Sequence, residues 1–444
     1  MKILYIIPYV PYPLNSGGNQ AFFNMVDAAR QQHDISLLLY IHTKNQKRAA
    51  DDLQQVWNDV KFYCYNEEEH KTEESEQATE PVVMPKLYEL QCRFFDYIKH
   101  SMERKIARRM RRYEKQTNWL EKFNLGNFVR EKSVLFANYT DLNDGFLQYV
   151  SDIARSGFDL IQVEFYEYLP LISVLPAEVQ KVFVHHELRY IRNQNEMSLF
   201  NKIRPTDKMR FENLKDMEIA MLSRYDHVIV LTETDKKLLA ELMPQQHIYV
   251  SPALTSAGKN KAYRPFVPAA ANLTFVGGGD HFPNADGVLW LCCEVVPELR
   301  KLGALPNIHI VGKWDKTMSG IAQYLCPEIH FTGFVDDLGE FLNGKVSVVP
   351  IRIGSGMRMK ILDTISASAP MVTTSKGCEG LPVQHGQDCL IADTPAEFAQ
   401  SIHRLLKDTA LQQKLASSAI HKLDSLMDAE TLLQKRMDFY KSLS

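Results

Sequence analysis

Cysteine is scarce in this sequence and follows no pattern that binds metal or builds a disulfide framework. The seven cysteines are odd in number, and none stands in a C-x-x-C spacing. Disulfide-stabilised domains carry paired cysteines, and structural zinc sites carry closely spaced ligands. The sequence therefore disfavours both and predicts no metal site. Its cysteine usage is typical of a protein in the reducing cytoplasm.

A long apolar run and a strong net charge are also lacking. No stretch is apolar over the ~20 residues that span a bilayer, and the opening MKILYIIPYVPYP is too short and proline-broken for a signal peptide. The formal net charge is −3, so the whole molecule has no electrostatic attraction for nucleic acid. We therefore expect a soluble cytoplasmic protein that binds no nucleic acid. Peripheral contact with the inner face of the membrane stays open.

Strand-like and helix-like segments alternate along most of the 444 residues. Short apolar runs such as KILYII, FDLIQVEF, HVIVLT and VSVVP are separated by helical stretches. Repeated strand–helix–strand order predicts parallel sheets with helices on both faces, and a chain of this length exceeds one ordinary core. The predicted fold class is α/β, with two doubly wound, Rossmann-like domains that face each other across a cleft.

The domain boundaries are predicted from one non-periodic stretch and one irregular region. Residues 252–271 are rich in Pro, Ala and Lys, which is typical of a linker. They would separate an N-terminal domain, 1–251, from a C-terminal domain, 272–425. Residues 426–444 form a further helix that could pack back on the N-terminal domain. A helical insertion near 66–135 interrupts the N-terminal alternation.

That insertion carries an acidic loop followed by a basic helical stretch. One interpretation is an inserted surface helix with a solvated charged face. The other is a surface that meets anionic lipid headgroups or an anionic acceptor. The basic residues are Arg104, Lys105, Arg108, Arg109, Arg111 and Arg112.

The most informative stretch is PIRIGSGMRMKILD, which begins at Pro350 and ends at Asp363. A strand-like segment precedes it, and a helix is predicted over Met357–Ala369. The glycines Gly354 and Gly356 therefore lie at a strand-to-helix turn. Backbone N–H groups and the helix dipole both favour an anion at such a place.

The side chains of this turn suit a nucleotide diphosphate. Arg358 and Lys360 can neutralise the two phosphates, and the hydroxyl of Ser355 can add a hydrogen bond. Asp363 shares a helix face with Lys360, and its carboxylate can accept both hydroxyls of a ribose. Spacing alone leaves a second interpretation open, a surface ion pair after an ordinary turn.

Polar residues at other strand ends are further candidates, because open parallel sheets bind ligands there. His185, His186 and Glu187 follow the strand KVFV, and we favour acceptor binding or catalytic support for them. Gly17 and Gly18 open a helix after the first strand. They could let the backbone approach the donor phosphates or the acceptor, or form a turn capped by an upstream residue.

The stretch VVPIRIGSGMRMKILDTISASAPMVTTSKGCEGLPV resembles the donor-binding segment of retaining GT-B glycosyltransferases of glycosyltransferase family 4. The resemblance continues through TFVGGGDHFPNADGVLWL, IHIVGKW and HFTGFVDDL, from Asn272 to about Leu406. It is looser in the N-terminal half and favours a functional role for Gly17 and Gly18.

The resemblance implies a role for each matching residue of the turn. Arg358 and Lys360 would hold the donor diphosphate, and Asp363 would bind the ribose where the family usually has Glu. Ser355 stands where the family often has a second Glu. Glu379 would lie near the donor, with the alternative that it caps the following turn.

The resemblance also bears on two strand ends elsewhere. Gly277 belongs to a donor-binding loop in which many relatives carry Arg and Lys, and Asn284 is either a ligand contact or a helix-start residue. Glu164 stands where many relatives carry a histidine close to the reacting carbon. It is a candidate acceptor-hydroxyl partner or base, with Glu167 as its rival.

The implied activity is transfer of a sugar from a nucleotide-diphosphate sugar, a co-substrate, to an acceptor hydroxyl. Retention of configuration follows from the family, and no cofactor or metal is expected. The acceptor could belong to a cell-surface polysaccharide, a lipid-linked glycan or a protein glycan. The alternatives are an inactive nucleotide-sugar-binding assembly protein and a nucleotide-sugar epimerase on the same scaffold.

Overall fold

Two parallel β-sheets organise the chain. The structure is a computed structural model and describes residues 1–14, 17–67, 124–136, 142–253, 263–269, 271–304, 306–426 and 428–443. The strands of the first sheet are β1 (Lys2–Ile7), β2 (Asp34–Tyr40), β3 (Lys61–Tyr65), β4 (Leu160–Glu164), β5 (Gln180–His185), β6 (His227–Val230) and β7 (His247–Val250). Those of the second sheet are β8 (Asn272–Val276), β9 (Asn307–Val311), β10 (Ile329–Gly333), β11 (Val346–Val349), β12 (Met371–Thr373) and β13 (Leu390–Ile391).

Helices connect these strands and cover both faces of each sheet. In the N-terminal part they are α1 (Gly17–Ala29), α2 (Lys44–Val56), α3 (Leu125–Lys132), α4 (Asp144–Ala154), α5 (Arg189–Ser198), α6 (Pro205–Leu222) and α7 (Glu233–Leu242). In the C-terminal part they are α8 (Phe282–Trp290), α9 (Val296–Lys301), α10 (Lys316–Leu325), α11 (Leu338–Leu342), α12 (Met359–Ser366), α13 (Pro395–Lys407), α14 (Thr409–Leu426) and α15 (Ala429–Ser442). A 3₁₀ segment, Tyr166–Ser173, follows β4.

The strand order places a topological switch point in each sheet. Within the described residues the orders are β3-β2-β1-β4-β5-β6-β7 and β10-β9-β8-β11-β12-β13, and every paired neighbour is parallel. The order reverses between β1 and β4 and again between β8 and β11. Crevices form outside the carboxyl ends of strands at such points, so the loops after these four strands are where a ligand is expected.

The central strand β1 shows why the first sheet is buried on both sides. Its sequence KILYII is an unbroken apolar run, and side chains alternate between the two faces of a strand. Ile3, Tyr5 and Ile7 pack into a cluster that also contains residues of α1 and α15. Leu4 and Ile6 pack into a second cluster on the opposite face.

The last helix, α15, lies on the first sheet although it follows the second sheet in the chain. Met437 and Tyr440 are buried in the same cluster as the side chains of β1. The hydroxyl of Tyr5 donates to that of Tyr440 over 3.1 Å. Both sheets belong to one compact unit, residues 1–67 and 126–444.

The predicted fold class of two parallel, Rossmann-like α/β domains is confirmed. The helix predicted over Met357–Ala369 is wrong at both ends, because it runs over Met359–Ser366. Arg358 has an extended backbone (φ −92°, ψ 91°), and Ser368 adopts φ 55°, so the helix continues past neither end.

Several predictions fall outside the described residues. These include the acidic loop and the basic cluster from Arg104 to Arg112 that was considered for membrane contact. Among the helices in the described ranges, none has the length and apolar character to traverse a bilayer.

Candidate active site

Two cavities lie where the carboxyl ends of the two sheets meet. The larger has a volume of about 840 Å³ and is lined mainly by loops of the second sheet. The smaller has a volume of about 640 Å³ and is lined by loops of both sheets. Met359 and Lys360, the first two residues of α12, line both cavities.

Most of the predicted site residues line one of these cavities. The larger cavity is lined by the predicted residues Gly17, Gly277, Lys360 and Asp363. The smaller is lined by the predicted residues Gly18, Glu167, His186, Glu187, Asn284, Ser355, Arg358 and Lys360. Glu164 instead lines a third cavity of about 50 Å³, which it shares with His186.

Two helix N-termini converge at the boundary between the cavities. Helix α1 begins at Gly17 and α12 begins at Met359. A Cβ atom placed on Gly17 would lie 2.9 Å from the Cβ of Met359, so the two helix ends are in direct contact. The positive end of the dipole at each helix favours an anion here.

Lys360 places an ammonium group at this boundary. Its Nζ donates to Oδ1 of Asn284 over 2.6 Å and lies 4.4 Å from the ring centre of Phe275. Burial and, to a smaller extent, the nearby charge of Arg358 lower the pKa of Lys360 to about 7, against the opposing influence of Asp363. The group is therefore close to its titration point and would be driven to the charged form by an anion.

Asp363 lies one helical turn further along α12 and lines the larger cavity. Burial raises the pKa of its carboxyl to about 6, against the opposing influence of Lys360. A carboxylate at this depth can accept hydrogen bonds from hydroxyl groups of a ligand. The predicted contact of Asp363 with a nucleotide ribose stays a prediction.

Asn284 is fixed as a partner for Lys360 by the loop after β8. Its Nδ2 donates to the carbonyl oxygen of Gly278 over 2.8 Å, which directs Oδ1 towards the lysine. A Cβ atom on Gly277 would lie 2.7 Å from this amide. The sequence left open whether Asn284 starts a helix or contacts a ligand, and its observed role is to hold Lys360.

Arg358 folds back on its own turn. Its guanidinium donates to the carbonyl oxygens of Ser355 and Ile353, while its Nε is buried and has no partner among the described residues. Burial lowers the pKa of Arg358, whereas the charge of Glu187 opposes that change. The guanidinium thus lines the smaller cavity with hydrogen-bonding capacity to spare.

Glu187 is an acidic group of the smaller cavity and is held by Arg192. Burial by itself raises the pKa of Glu187, but the surrounding positive charges, led by that of Arg192, bring it down to about 2. Arg192 donates to Glu187 over 3.0 Å and to Glu196 over 3.0 Å. Glu187 is therefore ionised at neutral pH and orders the arginines of this wall.

The glycine turn contacts the N-terminal domain directly. The hydroxyl of Ser355 accepts a hydrogen bond from the Leu188 N–H over 2.6 Å, and the Gly354 N–H donates to Oδ1 of Asn195 over 3.1 Å. The sequence predicted backbone N–H groups free for a ligand at this turn. For Gly354 that expectation is wrong, because Asn195 in the last turn of α5 approaches closely enough to accept the hydrogen bond.

Gly356 is also required at its position because the N-terminal domain approaches the turn closely. Its backbone has φ +76°, which favours glycine. A Cβ atom there would overlap the carbonyl oxygen of His186. Gly354 and Gly356 thus bring two domains together, which is a different use from the predicted close approach of a ligand.

His186 forms a pair with Glu164 at the carboxyl ends of β4 and β5. Its Nε2 lies 2.8 Å from Oε2 of Glu164, and its ring stacks on Phe165 with centres 3.9 Å apart. Phe165 has φ 69°, a left-handed conformation that is uncommon for an aromatic residue. The bend turns the chain after Glu164 so that a carboxylate and an aromatic face both support one imidazole.

His185 has a different environment from its neighbour. It is 2% exposed and its Nε2 lies 2.7 Å from Oε1 of Glu218. Glu218 also accepts from the N–H groups of Arg189 and Tyr190 at the start of α5. These contacts give His185 a place in the core, and it lines neither of the two large cavities.

Glu379 and Glu167 are also paired within the protein. Glu379 accepts from Lys376 over 2.7 Å, and its other carboxylate oxygen is buried with no partner in the part of the chain that the structure describes. Glu167 accepts from Arg189 over 2.9 Å. Glu379 lines neither large cavity, so its predicted donor contact stays a prediction, as does the choice between Glu164 and Glu167.

Sequence reasoning missed the residues that support the pair of Glu164 and His186. Gln162 donates to Oε1 of Glu164 over 2.6 Å, and Phe165 stacks on the imidazole. Gln162 could have been noticed as a polar residue inside the apolar run of β4. No feature of the sequence indicates the left-handed backbone conformation of Phe165.

Residues 270–408 match a family model described as Glycosyl transferases group 1. A relative named as an uncharacterized 44.6 kDa protein in the cps region of Klebsiella pneumoniae is 25% identical over 276 residues, which cover 58% of this chain and 67% of the relative.

Solved structures of similar fold cover nearly the whole chain. TarM from S. aureus, in complex with UDP among other ligands, matches with a TM-score of 0.64 at 11% identity, over 98% of this chain and 99% of TarM. Sucrose-phosphate synthase from Thermosynechococcus elongatus matches with a TM-score of 0.63 at 15% identity, over 100% and 99%. Anabaena HepE, in complex with UDP and glucose, matches with a TM-score of 0.53 at 11% identity, over 100% of both chains.

These matches agree with the two-sheet architecture. Residues 270–408 are thus similar to the Glycosyl transferases group 1 family, and the chain as a whole has the GT-B fold.

Proposed function

We propose that this protein is a glycosyltransferase that moves a sugar from a nucleotide-diphosphate sugar to an acceptor hydroxyl. The observation that carries the proposal is the position of Lys360, which lines both large cavities at the point where two helix N-termini meet. A diphosphate is the part of such a donor that joins two differently shaped halves. A cation between two cavities suits that arrangement.

The cavities suggest how the donor lies. The nucleotide would occupy the larger cavity, with its ribose hydroxyls on Asp363. The sugar would occupy the smaller cavity, beside His186 and Arg358. The complex of HepE with UDP and glucose and that of TarM with UDP support this choice of ligand class.

The chemistry follows from the charge that develops as the bond to the sugar breaks. The departing diphosphate gains negative charge, which Lys360, Arg358 and the N–H groups at the start of α12 would stabilise most in the transition state. Lys360, with a pKa of about 7 before the donor binds, would be fully charged beside a diphosphate. His186 would contact the sugar or the incoming hydroxyl at the opposite wall.

Retention of configuration and independence of metal are finer parts of the proposal. Retention rests on the resemblance of the donor-binding segment to retaining enzymes. Metal independence rests on the cations of Lys360 and Arg358, which can supply the charge that a divalent ion provides elsewhere. The acceptor class stays a proposal among cell-surface polysaccharide, lipid-linked and protein glycans.

The first experiment is a thermal-shift screen against nucleotide-diphosphate sugars with different bases and sugars, followed by product analysis with the donors that bind. A ligand that binds the folded protein raises its melting temperature. We expect stabilisation by at least one donor and sugar transfer that survives EDTA.

Variants of the proposed diphosphate site sharpen this test. Lys360→Ala and Arg358→Ala should each lower transfer by about 100-fold or more, whereas Lys316→Ala, an exposed lysine at the start of α10, should leave it unchanged. Product formation without an acceptor would instead indicate an epimerase. Donor binding without any product would indicate a binding protein.

A further inference from the structure

Helix α15 buries a charged side chain that the proposed mechanism does not use. Arg436 is 4% exposed, and within the part of the chain that the structure describes it forms no ion pair. Its guanidinium donates to the hydroxyl of Tyr440 over 2.9 Å and to Oε1 of Gln162 over 3.2 Å. Burying a guanidinium costs free energy unless hydrogen bonds or opposite charges compensate for the lost water. The groups that Arg436 contacts therefore indicate its role.

The contacts of Arg436 fix the orientation of the Gln162 amide. Because Nε of Arg436 donates to Tyr440, the phenolic proton of Tyr440 is left to donate to Oε1 of Gln162, 2.7 Å away. Two donors from α15 therefore face the carbonyl end of this amide. The NH₂ end must then point the other way, and it lies 2.6 Å from Oε1 of Glu164.

The same chain of contacts continues into the smaller cavity. Glu164 accepts from Gln162 through Oε1 and faces Nε2 of His186 through Oε2, at 2.8 Å. A carboxylate in this position requires the proton of a neutral imidazole to be on Nε2, which leaves Nδ1 as an acceptor. His186 lines the cavity with about a quarter of its side chain exposed.

The surroundings keep these interactions strong. Glu164, His186 and Arg436 share the small cavity of about 50 Å³, which has room for ordered water and is otherwise walled largely by apolar side chains. The phenols of Tyr5 and Tyr9 also face Glu164, and burial raises the pKa of both, with the charge of Glu164 adding to the effect. They stay neutral, whereas Arg436 brings a positive charge to balance the carboxylate.

We propose that Arg436 is a positioning residue that sets the tautomer and orientation of His186. It acts through Gln162 and Glu164, which join the last helix to the wall of the smaller cavity. The importance of this positioning for catalysis rests on the proposed function, whereas the coupling itself is a property of the fold.

The decisive variant is Arg436→Met, which removes the charge and keeps a long side chain. Without the guanidinium the Gln162 amide can rotate and turn its oxygen towards Glu164, which disturbs the imidazole. We expect kcat to fall by about tenfold or more, because small misplacements of reacting groups cost this much, with the donor KM within about twofold of wild type. Arg436→Lys, which keeps the charge, should recover most of kcat.

A matched control variant and an NMR measurement distinguish positioning from a structural role. The matched control is Lys435→Met, an exposed neighbour on the same helix, which should behave as wild type. In ¹⁵N-histidine NMR spectra, with the His186 signals assigned from His186→Gln, the wild type should show the neutral form of the ring as the tautomer with its proton on Nε2. Arg436→Met should shift these signals towards a mixture of tautomers.

Folded Arg436→Met with wild-type kcat and unchanged His186 signals would overturn the proposal. If that variant does not fold, Tyr440→Phe removes one of the two donors to Gln162 and should shift the same NMR signals less, in the same direction; unchanged signals there would also overturn it. If the wild type transfers no sugar from any donor, the proposed function fails, and the NMR comparison still decides the positioning.

Discussion

At the scale of single residues, the site contains ionisable groups whose pKa values burial has moved towards 7. Lys360 has a pKa lowered to about 7, and Asp363 has one raised to about 6. Both side chains line the larger cavity. Ionisable groups with perturbed pKa values in a cleft are typical of functional sites, because a bound ligand can compensate for the water that the charged form has lost.

Lys360 gives a prediction for the pH dependence of donor binding. Its pKa of about 7 in the free protein should rise beside a diphosphate, so binding takes up a proton. The affinity for a nucleotide-diphosphate sugar should therefore fall above pH 7, by about tenfold per pH unit at most. Isothermal titration calorimetry at several pH values, in buffers of different ionisation enthalpy, measures both the slope and the proton uptake.

The same group predicts the behaviour of Lys360→Met without a ligand. Because the lysine pKa is lower in the folded protein than in the unfolded chain, the unfolded chain binds more protons between about pH 7 and 10. The wild type should thus gain stability as pH rises through this window, and Lys360→Met should lose that dependence. Urea denaturation at several pH values measures this dependence, and equal pH profiles in the two proteins would contradict the expectation. A pH-independent donor affinity in the wild type would contradict the preceding prediction.

The sequence predicted that these two side chains share a helix face, but it did not predict the residues that support them. Lys360 and Asp363 stand in a short motif whose helical spacing puts them on one face. The contact of Lys360 with Asn284 joins residues 76 apart, and that of Arg436 with Gln162 joins residues 274 apart. Such pairs depend on how whole elements pack, which no local pattern encodes.

At the scale of elements, the turn between β11 and α12 serves two purposes. Its last residues begin the helix that carries Lys360, while Gly354, Ser355 and Gly356 contact α5 and the residues just before it in the other domain. The strand, the turn and the helix were all visible in the sequence. The contact between domains was not, since it requires knowing which loops meet across the cleft.

Gly356→Ala tests whether this contact matters beyond the cost of backbone strain. Gly356 has φ +76° and Gly386 has φ +73°, so alanine is strained equally at both. At Gly386 a Cβ atom meets nothing within 4 Å, whereas at Gly356 it overlaps a carbonyl oxygen.

Both glycine variants should lose about 1 kcal/mol of unfolding free energy from the left-handed backbone. Gly356→Ala should lose more, and its stabilisation by the donor in a thermal-shift assay should also decrease, because the domains can no longer approach closely. Equal melting temperatures and equal donor shifts in the two variants would show that the contact is unimportant.

At the scale of the whole molecule, the two sheets are joined by the return of α15 to the first sheet. The alternation of strands and helices predicted two parallel sheets, and the structure confirms them. The face on which α15 lies could not be predicted, because its apolar stripe would suit several surfaces. Met437, 1% exposed, shows that this helix completes the core of the first sheet.

Met437→Ala should therefore destabilise the N-terminal sheet. Removing a buried methionine side chain costs about 2–5 kcal/mol of unfolding free energy, and the loss should appear in hydrogen exchange of the β1 amides. Met209→Ala is the matched control, because Met209 is 61% exposed and should have little effect. Protection of β1 that is equal in the two variants would mean that α15 contributes nothing to this core.

The return of α15 also has a consequence for protein synthesis. Tyr5 and Tyr440, which share a hydrogen bond, are separated by 435 residues. The ribosome makes the first strand long before the helix that covers it, and domains usually fold as they emerge. Here one apolar face of the first sheet stays exposed until the second sheet and α15 have been translated. Nascent chains should therefore depend on chaperones throughout that interval.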